Sequence, residues 1–267
     1  GFNNAGGSMS NFEKFTVTRV NVTKANNGSY SLSLGAFEAD TQKTTGEALA
    51  INGTSLNGTI NADGTENIAR ACKKYDCKMM YISTDYVFDG QGETPWEPDC
   101  KDYKPLNVYG QTKLDGELAV FDNVDKYFII RIAWVFGKNG KNFIKTMLNV
   151  GKTHDTLKVV NDQIGTPTYT YDLARLMIDM ILTDKYGYYH ATNEGGYISW
   201  YDFTCEIFRQ AGYTTKVVPV TTEEYGLSKA ARPFNSRLEK KKLVEAGFTP
   251  LPTWQDALKR YLEVIEY

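Results

Sequence analysis

From Ile60 onward, short apolar runs alternate with stretches whose apolar residues recur every three to four positions, and that alternation predicts strands and helices in turn. In 61–76 (NADGTENIARACKKYD) Ile68, Ala69 and Cys72 fall at helical spacing, and the run at 78–83 (KMMYIS) has the composition of a strand buried on both faces of a parallel sheet. A loop with Gly90, Gly92, Pro95 and Pro98 leads to a helix expected over 108–121, with Leu114, Leu118 and Phe121 along one face. Residues 128–134 (FIIRIAW) read as a second buried strand, 142–151 as a helix, 157–161 as a strand and 171–182 (YDLARLMIDMIL) as an apolar helix. Short strands are expected at 188–191 and 216–220, and a helix begins near Trp200. The last helix, 254–267, carries Trp254, Ala257, Leu258, Tyr261, Leu262 and Ile265 as one stripe, behind a cap built from Thr253 and Asp256. Strands alternating with helices imply an α/β fold on a parallel sheet.

The first 59 residues have another texture. They contain no proline, whereas all eight prolines of the chain lie at Pro95 or later, and this marks a boundary near Thr59. Residues 15–23 (FTVTRVNVT) are β-branched, Asn27-Gly28 is a type I′ turn signal, and Tyr30, Leu32 and Leu34 alternate with serines, which together predict a hairpin. We therefore expect 1–59 to be an atypical, turn-rich β segment and 60–267 to be the α/β body. Four Asn-x-Ser/Thr sequons (Asn21, Asn27, Asn52, Asn57) sit in this Asn- and Thr-rich stretch; nothing in 1–15 has the basic start and apolar core of a secretory leader, so glycosylation is the weaker reading.

Charge narrows the partners. Thirty Lys and Arg against thirty-two Asp and Glu leave a formal net charge of −2, and no basic block stands out that would neutralise a phosphate backbone. Nucleic acid is not an expected partner. The longest apolar stretch, 127–136, has Arg131 inside it and falls well short of the roughly 18 residues a membrane helix needs. Four cysteines (Cys72, Cys77, Cys100, Cys205) form neither a disulfide framework nor a zinc-ligand pattern, so reduced thiols and a cytoplasmic location are expected and a metal is not. His154 and His190 are the only histidines, and neither lies near a nucleophile in sequence, which disfavours a Ser-His-Asp mechanism.

The candidate reactive groups are Ser83-Thr84-Asp85-Tyr86, at the end of one strand, and Tyr109-Gly110-Gln111-Thr112-Lys113, at the head of a helix. Open α/β sheets bind ligands beyond the carboxyl ends of their strands, which is where the first group falls. Tyr109 and Lys113 stand at i and i+4, on one helix face, so the ammonium is expected to lower the phenol's pKa and make it a useful acid toward a carbonyl oxygen. A second Tyr-x-x-x-Lys, Tyr225 to Lys229, follows a polar stretch with no hydroxyl-rich strand end before it, and is expected to be inert. Trp134 reads as a sheet-edge aromatic that emerges beside the same cleft, and 162–168 as a turn. Arg232-Pro233 reads equally as an anion contact and as a solvated loop.

The stretches YISTDYVFDG (81–90), PLNVYGQTKLDGE (105–117), RIAWVFGKNGKNF (131–143), NDQIGTPT (161–168) and RPFNS (232–236) carry a resemblance. Over about 60–267 the chain resembles the dTDP-4-dehydrorhamnose reductases, a family of extended short-chain dehydrogenases/reductases. The resemblance implies a Rossmann-like parallel sheet with a smaller C-terminal substrate lobe, at about 140–267. It also implies reduction of the 4-keto group of dTDP-4-dehydro-β-L-rhamnose by NADPH (or NADH), with a homodimer as one option for assembly. Carried over by position, Thr84 would hydrogen-bond the sugar carbonyl, Tyr109 would donate the proton, and Lys113 would hold the nicotinamide ribose and depress the tyrosine pKa. Ser83 would join Tyr109 and Lys113 in contacting the cofactor, while Asp85, Tyr86, Trp134 and Arg232 would line the pocket of the dTDP-sugar.

The N-terminus departs from that pattern. Family members open with a strand, a Gly-x-x-Gly-x-x-Gly loop and a helix whose amides hold a pyrophosphate, whereas residues 1–7 (GFNNAGG) space their glycines differently and follow no strand. The residue that would choose between NAD and NADP also has no counterpart. The alternative expectation is accordingly a non-catalytic binding or regulatory protein that keeps the reductase fold.

Overall fold

The computed structural model describes residues 15–24, 30–39, 58–226 and 232–267. The chain divides into two compact units, Gly1–Ile60 and Asn61–Tyr267. In the first, β1 (Phe15–Lys24) and β2 (Tyr30–Ala39) pair antiparallel, with Val17 opposite Phe37 and Val22 opposite Leu32. This is the hairpin that the β-branched run and the Ser/Leu alternation predict. The Asn27-Gly28 turn, the glycines of residues 1–7 and the sequons at Asn27, Asn52 and Asn57 lie outside the described residues.

The second unit is built on a parallel sheet of β3 (Met79–Thr84), β4 (Tyr127–Ile132) and β9 (Gly187–His190), with β4 in the middle. Its strands are short and nearly continuous in apolar residues because both faces are covered. On one face, Ala69 of α1 (Thr65–Lys74) and Val120 of α2 (Val108–Asn123) pack on Met79, Tyr81 and Ile129. On the other, Leu173, Leu176 and Met180 of α4 (Thr170–Ile181) pack on Phe128, Ile130 and Tyr189.

Two helix faces differ from the periodicity reading. Ile68 is exposed, since α1 turns Ala69 and Cys72 inward instead. Leu118 and Phe121 of α2 are likewise exposed; the sheet-facing side is made of Gly110, Thr112, Leu114, Gly116, Glu117 and Val120. Close approach is the cause. A Cβ at Gly110 would lie 2.2 Å from the Tyr86 carbonyl oxygen, and one at Gly116 would lie 2.2 Å from the Tyr81 hydroxyl, so the glycines let the helix settle onto the strand ends.

Beyond β4 the chain forms the remaining small sheets. β5 (Val135–Phe136) pairs with β8 (Thr168–Tyr169), and β6 (Thr156–Val160) pairs with β11 (Lys216–Val220). β7 (Ile164–Gly165) lies between β10 (Ile198–Ser199) and β12 (Asn235–Ser236). Around them α3 (Phe143–Gly151), α5 (Trp200–Ala211) and α8 (Trp254–Leu262) share a core with Phe136, Ile144, Leu148, Phe203, Ile207 and Tyr261. The helix ends follow local chemistry. Ser199 and Asp202 cap each other at the head of α5, Gly212 ends that helix at φ 74°, and Thr253 caps α8 through the Asp256 amide. Two short helices, α6 (Thr222–Tyr225) and α7 (Lys241–Glu245), complete the order. No helix of the described residues is long and apolar enough to cross a membrane.

Candidate active site

At the carboxyl end of β3 the chain leaves the sheet through a turn at Asp85–Val87, which Thr84 caps by accepting the Tyr86 amide at 3.3 Å. Opposite it, Asn107 caps α2 by accepting the Gly110 amide at 2.9 Å, which sets Tyr109 in the first turn. The contact at Gly110 brings the two segments together. The rings of Tyr86 and Tyr109 meet edge-on at 5.6 Å, and the Thr84 hydroxyl lies close enough to the Tyr109 phenol to act on its ionisation.

Asp85 anchors this cluster from below. It is 2% exposed, accepts the Thr84 hydroxyl at 2.9 Å, and accepts a second hydroxyl from Ser236 of β12. Burial pushes its carboxyl up to about 6, against the pull of both hydroxyls. Because the folded value lies above the unfolded one, stability is greatest below the unfolded value and is lost as pH rises through about 6. Asp85→Asn should therefore be more stable than the parent by about 2 kcal/mol at neutral pH. That gap should close in urea titrations as pH falls from about 6 to below about 4; a gap independent of pH would remove the buried charge as its cause.

Lys113 stands one turn beyond Tyr109, its ammonium 4.0 Å from the centre of the Tyr81 ring. Burial lowers it to about 8, with the Glu117 carboxylate opposing the fall. The Tyr109 phenol is raised, by burial around its hydroxyl end first and the Asp85 charge besides, with the Thr84 hydrogen bond acting the other way. The expected depression of this phenol by Lys113 is thus corrected: the ammonium is engaged over Tyr81, and burial decides the direction. Ser83 shares a strand face with Tyr81, is 2% exposed, and has a hydroxyl without a hydrogen-bond partner among the described residues.

Trp134 lies just past the end of β4, and not within the strand as its apolar run predicts. Its φ is 51°, a left-handed conformation that costs a bulky residue about 1–3 kcal/mol. Its surroundings hold it there. Its ring stacks on Trp200 at 3.6 Å and 13°, its carbonyl accepts the Thr168 amide at 3.2 Å, and a Cβ at Gly165 would lie 2.9 Å from the ring.

Trp200 also lines a cavity of about 510 Å³ together with Phe143, Lys158, Gln163, Tyr225 and Arg232. Arg232 is exposed on its loop, yet its charge reaches Tyr86, where it works to lower a phenol that burial raises. Arg232 thus lines the cavity and acts on Tyr86 through its charge. The 162–168 segment, expected as a turn, instead carries β7 and the start of β8; ahead of β7, Asp162 accepts the Thr222 amide at 2.9 Å and hydroxyl at 2.6 Å, and Gln163 donates to Thr222 at 3.0 Å. Tyr225 lies on the cavity wall, and Lys229 falls outside the described residues.

Sequence reasoning brought out Thr84, Asp85, Tyr86, Tyr109, Lys113 and Trp134, and these gather on neighbouring elements. It assigned no role to Ser236, although RPFNS contains it, nor to Trp200, Gly165 or Glu117.

The family model described as RmlD substrate binding domain matches residues 52–266. The dTDP-4-dehydrorhamnose reductase of Salmonella typhimurium is 39% identical over 214 residues, covering 76% of this chain and 71% of that protein. The spore coat polysaccharide biosynthesis protein SpsK of Bacillus subtilis is 40% identical over 204 residues, 76% of this chain and 70% of its own length. Among solved structures, the dTDP-4-dehydrorhamnose reductase of Bacillus anthracis in complex with NADP superposes with a TM-score of 0.74 at 40% identity, over 79% of this chain and 74% of that one. The Clostridium acetobutylicum orthologue gives 0.75 at 44% identity over the same shares. A hydroxyl-capped strand end facing a Tyr-x-x-x-Lys helix, with these relatives, makes the chain a member of the dTDP-4-dehydrorhamnose reductase family.

Proposed function

We propose that the chain reduces the 4-keto group of dTDP-4-dehydro-β-L-rhamnose to the alcohol of dTDP-L-rhamnose, with NADPH as reductant and in the cytoplasm. The observation that carries this reading is the juxtaposition of the Thr84 hydroxyl and the Tyr109 phenol at the end of β3, with Tyr86 edge-on to Tyr109 and Arg232 acting on Tyr86 from the cavity that it lines.

The described residues fit the nicotinamide end of such a cofactor. The Lys113 ammonium and the Tyr109 phenol are hydroxyl-binding groups on one helix face, and the unpartnered Ser83 hydroxyl lies on the neighbouring strand. When bound, the cofactor supplies a hydride to C4 of the sugar. The Tyr109 phenol donates its proton to the C4 oxygen as negative charge develops there, and the Thr84 hydroxyl, turning its single proton from Asp85 to that oxygen, supplies a second hydrogen bond to the same atom. Burial keeps the phenol protonated through neutral pH, so it arrives at the reaction as an acid. Lys113 holds the nicotinamide ribose. Tyr86 and Trp134 bound the sugar, and Asp85, fixed by Ser236, fixes Thr84 in turn.

The nucleotide end belongs in the cavity of Trp200 and Phe143, where Lys158 and Arg232 supply the positive charge a diphosphate requires. Arg232→Ala should raise KM for the dTDP-sugar about tenfold while changing kcat less than about threefold, because the contact exists before and during the reaction. Steady-state kinetics test this, and an unchanged KM would return Arg232 to a solvated loop. A titration following the fluorescence of NADPH tests cofactor binding apart from turnover. Saturable binding supports a reductase; no binding at millimolar cofactor supports a non-catalytic protein of the same fold.

A further inference from the structure

α2 carries a second charged group, besides Lys113, on the face it turns to the sheet. Glu117, one turn beyond Lys113, is fully buried, and its carboxylate accepts two hydrogen bonds from Arg131, from Nε at 2.8 Å and from Nη2 at 2.7 Å. Arg131 is fully buried as well, the one charged residue in β4. Its guanidinium lies 4.9 Å from the Phe88 ring centre and 4.8 Å from that of Tyr188. Its remaining donors go to the Pro98 carbonyl at 3.1 Å and the Tyr103 hydroxyl at 3.2 Å. Desolvation makes such a pair a poor source of net stability, so its placement calls for another use.

That use lies along the helix. Side chains at i and i+4 sit about 5–6 Å apart at Cβ, which puts Glu117 next to Lys113 on the same stripe. We propose that Glu117 is a positioning residue for Lys113: held in place by its two hydrogen bonds from Arg131, it is the buried counter-charge that keeps the Lys113 ammonium protonated and set above Tyr81. The role of Lys113 in turnover rests on the reductase reading, but the charge arrangement does not.

The surroundings of Lys113 supply no better counter-charge. From β3 it meets Tyr81 and from its own helix Tyr109, both phenols that burial raises and so keeps neutral. Asp115, also on α2, accepts the Gln111 side-chain amide at 2.8 Å on an exposed part of the helix. Tyr188 of β9 is raised by burial and by Glu117, hence neutral, and the Arg131 charge is matched by Glu117 itself. Burial already lowers Lys113 to about 8, and without Glu117 the lysine would lose its proton near neutral pH.

Competitive acetylation of the full chain with acetic anhydride, read by mass spectrometry on the peptide containing Lys113, follows this proton directly. The parent should titrate near 8. Glu117→Gln should lower that midpoint by roughly one unit, while Glu117→Asp, which retains the charge, should hold it within about 0.3 unit. Exposed Lys73 should titrate identically in all three. Should Glu117→Gln fail to fold, the double variant Glu117→Gln/Arg131→Met removes the unpaired guanidinium and should still shift Lys113 downward, since the carboxylate it removes stands one helical turn from Lys113. A folded variant whose Lys113 midpoint matches the parent overturns the proposal, leaving the pair a structural tie alone. Labelling needs no turnover, so loss of reductase activity in the parent chain would count against the proposed function and leave this result intact.

Discussion

Tyr109→Phe should lower kcat by about 10²–10⁴-fold with little change in KM for the dTDP-sugar, because the phenol's proton is used only as charge develops on the C4 oxygen. The geometry that supports this is narrow. Tyr109 stands in the first turn of α2, beside Thr84 and edge-on to Tyr86, whereas Tyr225 sits at the end of a four-residue helix on the cavity wall. Tyr225→Phe should change kcat less than about twofold. The parent's rate should fall as pH rises through about 8, where Lys113 loses its proton, before the raised phenol of Tyr109 titrates. Equal losses in kcat for the two phenylalanine variants would remove Tyr109 as the acid.

Arg131→Met should be the most destabilising change in the body, at about 3–5 kcal/mol, because it strands the fully buried Glu117 carboxylate without its partner. Replacing both, as Arg131→Met/Glu117→Leu, should recover most of that loss, since two apolar side chains carry no desolvation penalty in the same space. Urea denaturation of the two variants measures the difference. A single variant that loses less than about 1 kcal/mol would mean that the Glu117 carboxylate takes up a proton or reaches water at little cost.

Which parts of this were legible in the sequence follows from what periodicity detects. Apolar runs located β3, β4 and β9, and the polar cap of Thr253 and Asp256 located the start of α8, because both are local properties of the chain. The buried face of α2 was not legible, since spacing rules weigh large apolar residues such as Leu118 and Phe121, while the contact is made by Gly110, Gly116 and a charged Glu117. Arg131 inside an apolar strand was a signal of a buried pair, and Glu117 four residues after Lys113 was its available partner; no local rule joins them across the sheet. Trp134 at φ 51° defies the preference of its residue type, and its support from Trp200 and Gly165 comes from distant segments. Ser236 lay within a recognised motif, but its bond to Asp85 spans 151 residues and appears only in three dimensions.

The proposed working centre of a nucleotide-sugar reductase is the set of Thr84, Tyr109 and Lys113. Its most direct test is to incubate the full chain with dTDP-4-dehydro-β-L-rhamnose and NADPH, following the loss of NADPH absorbance and the sugar product by NMR. The account predicts one NADPH consumed for each dTDP-L-rhamnose formed, with that turnover abolished to within about 1% by Tyr109→Phe. A chain that binds NADPH and the dTDP-sugar yet forms no product, or one whose turnover survives Tyr109→Phe unchanged, would contradict it.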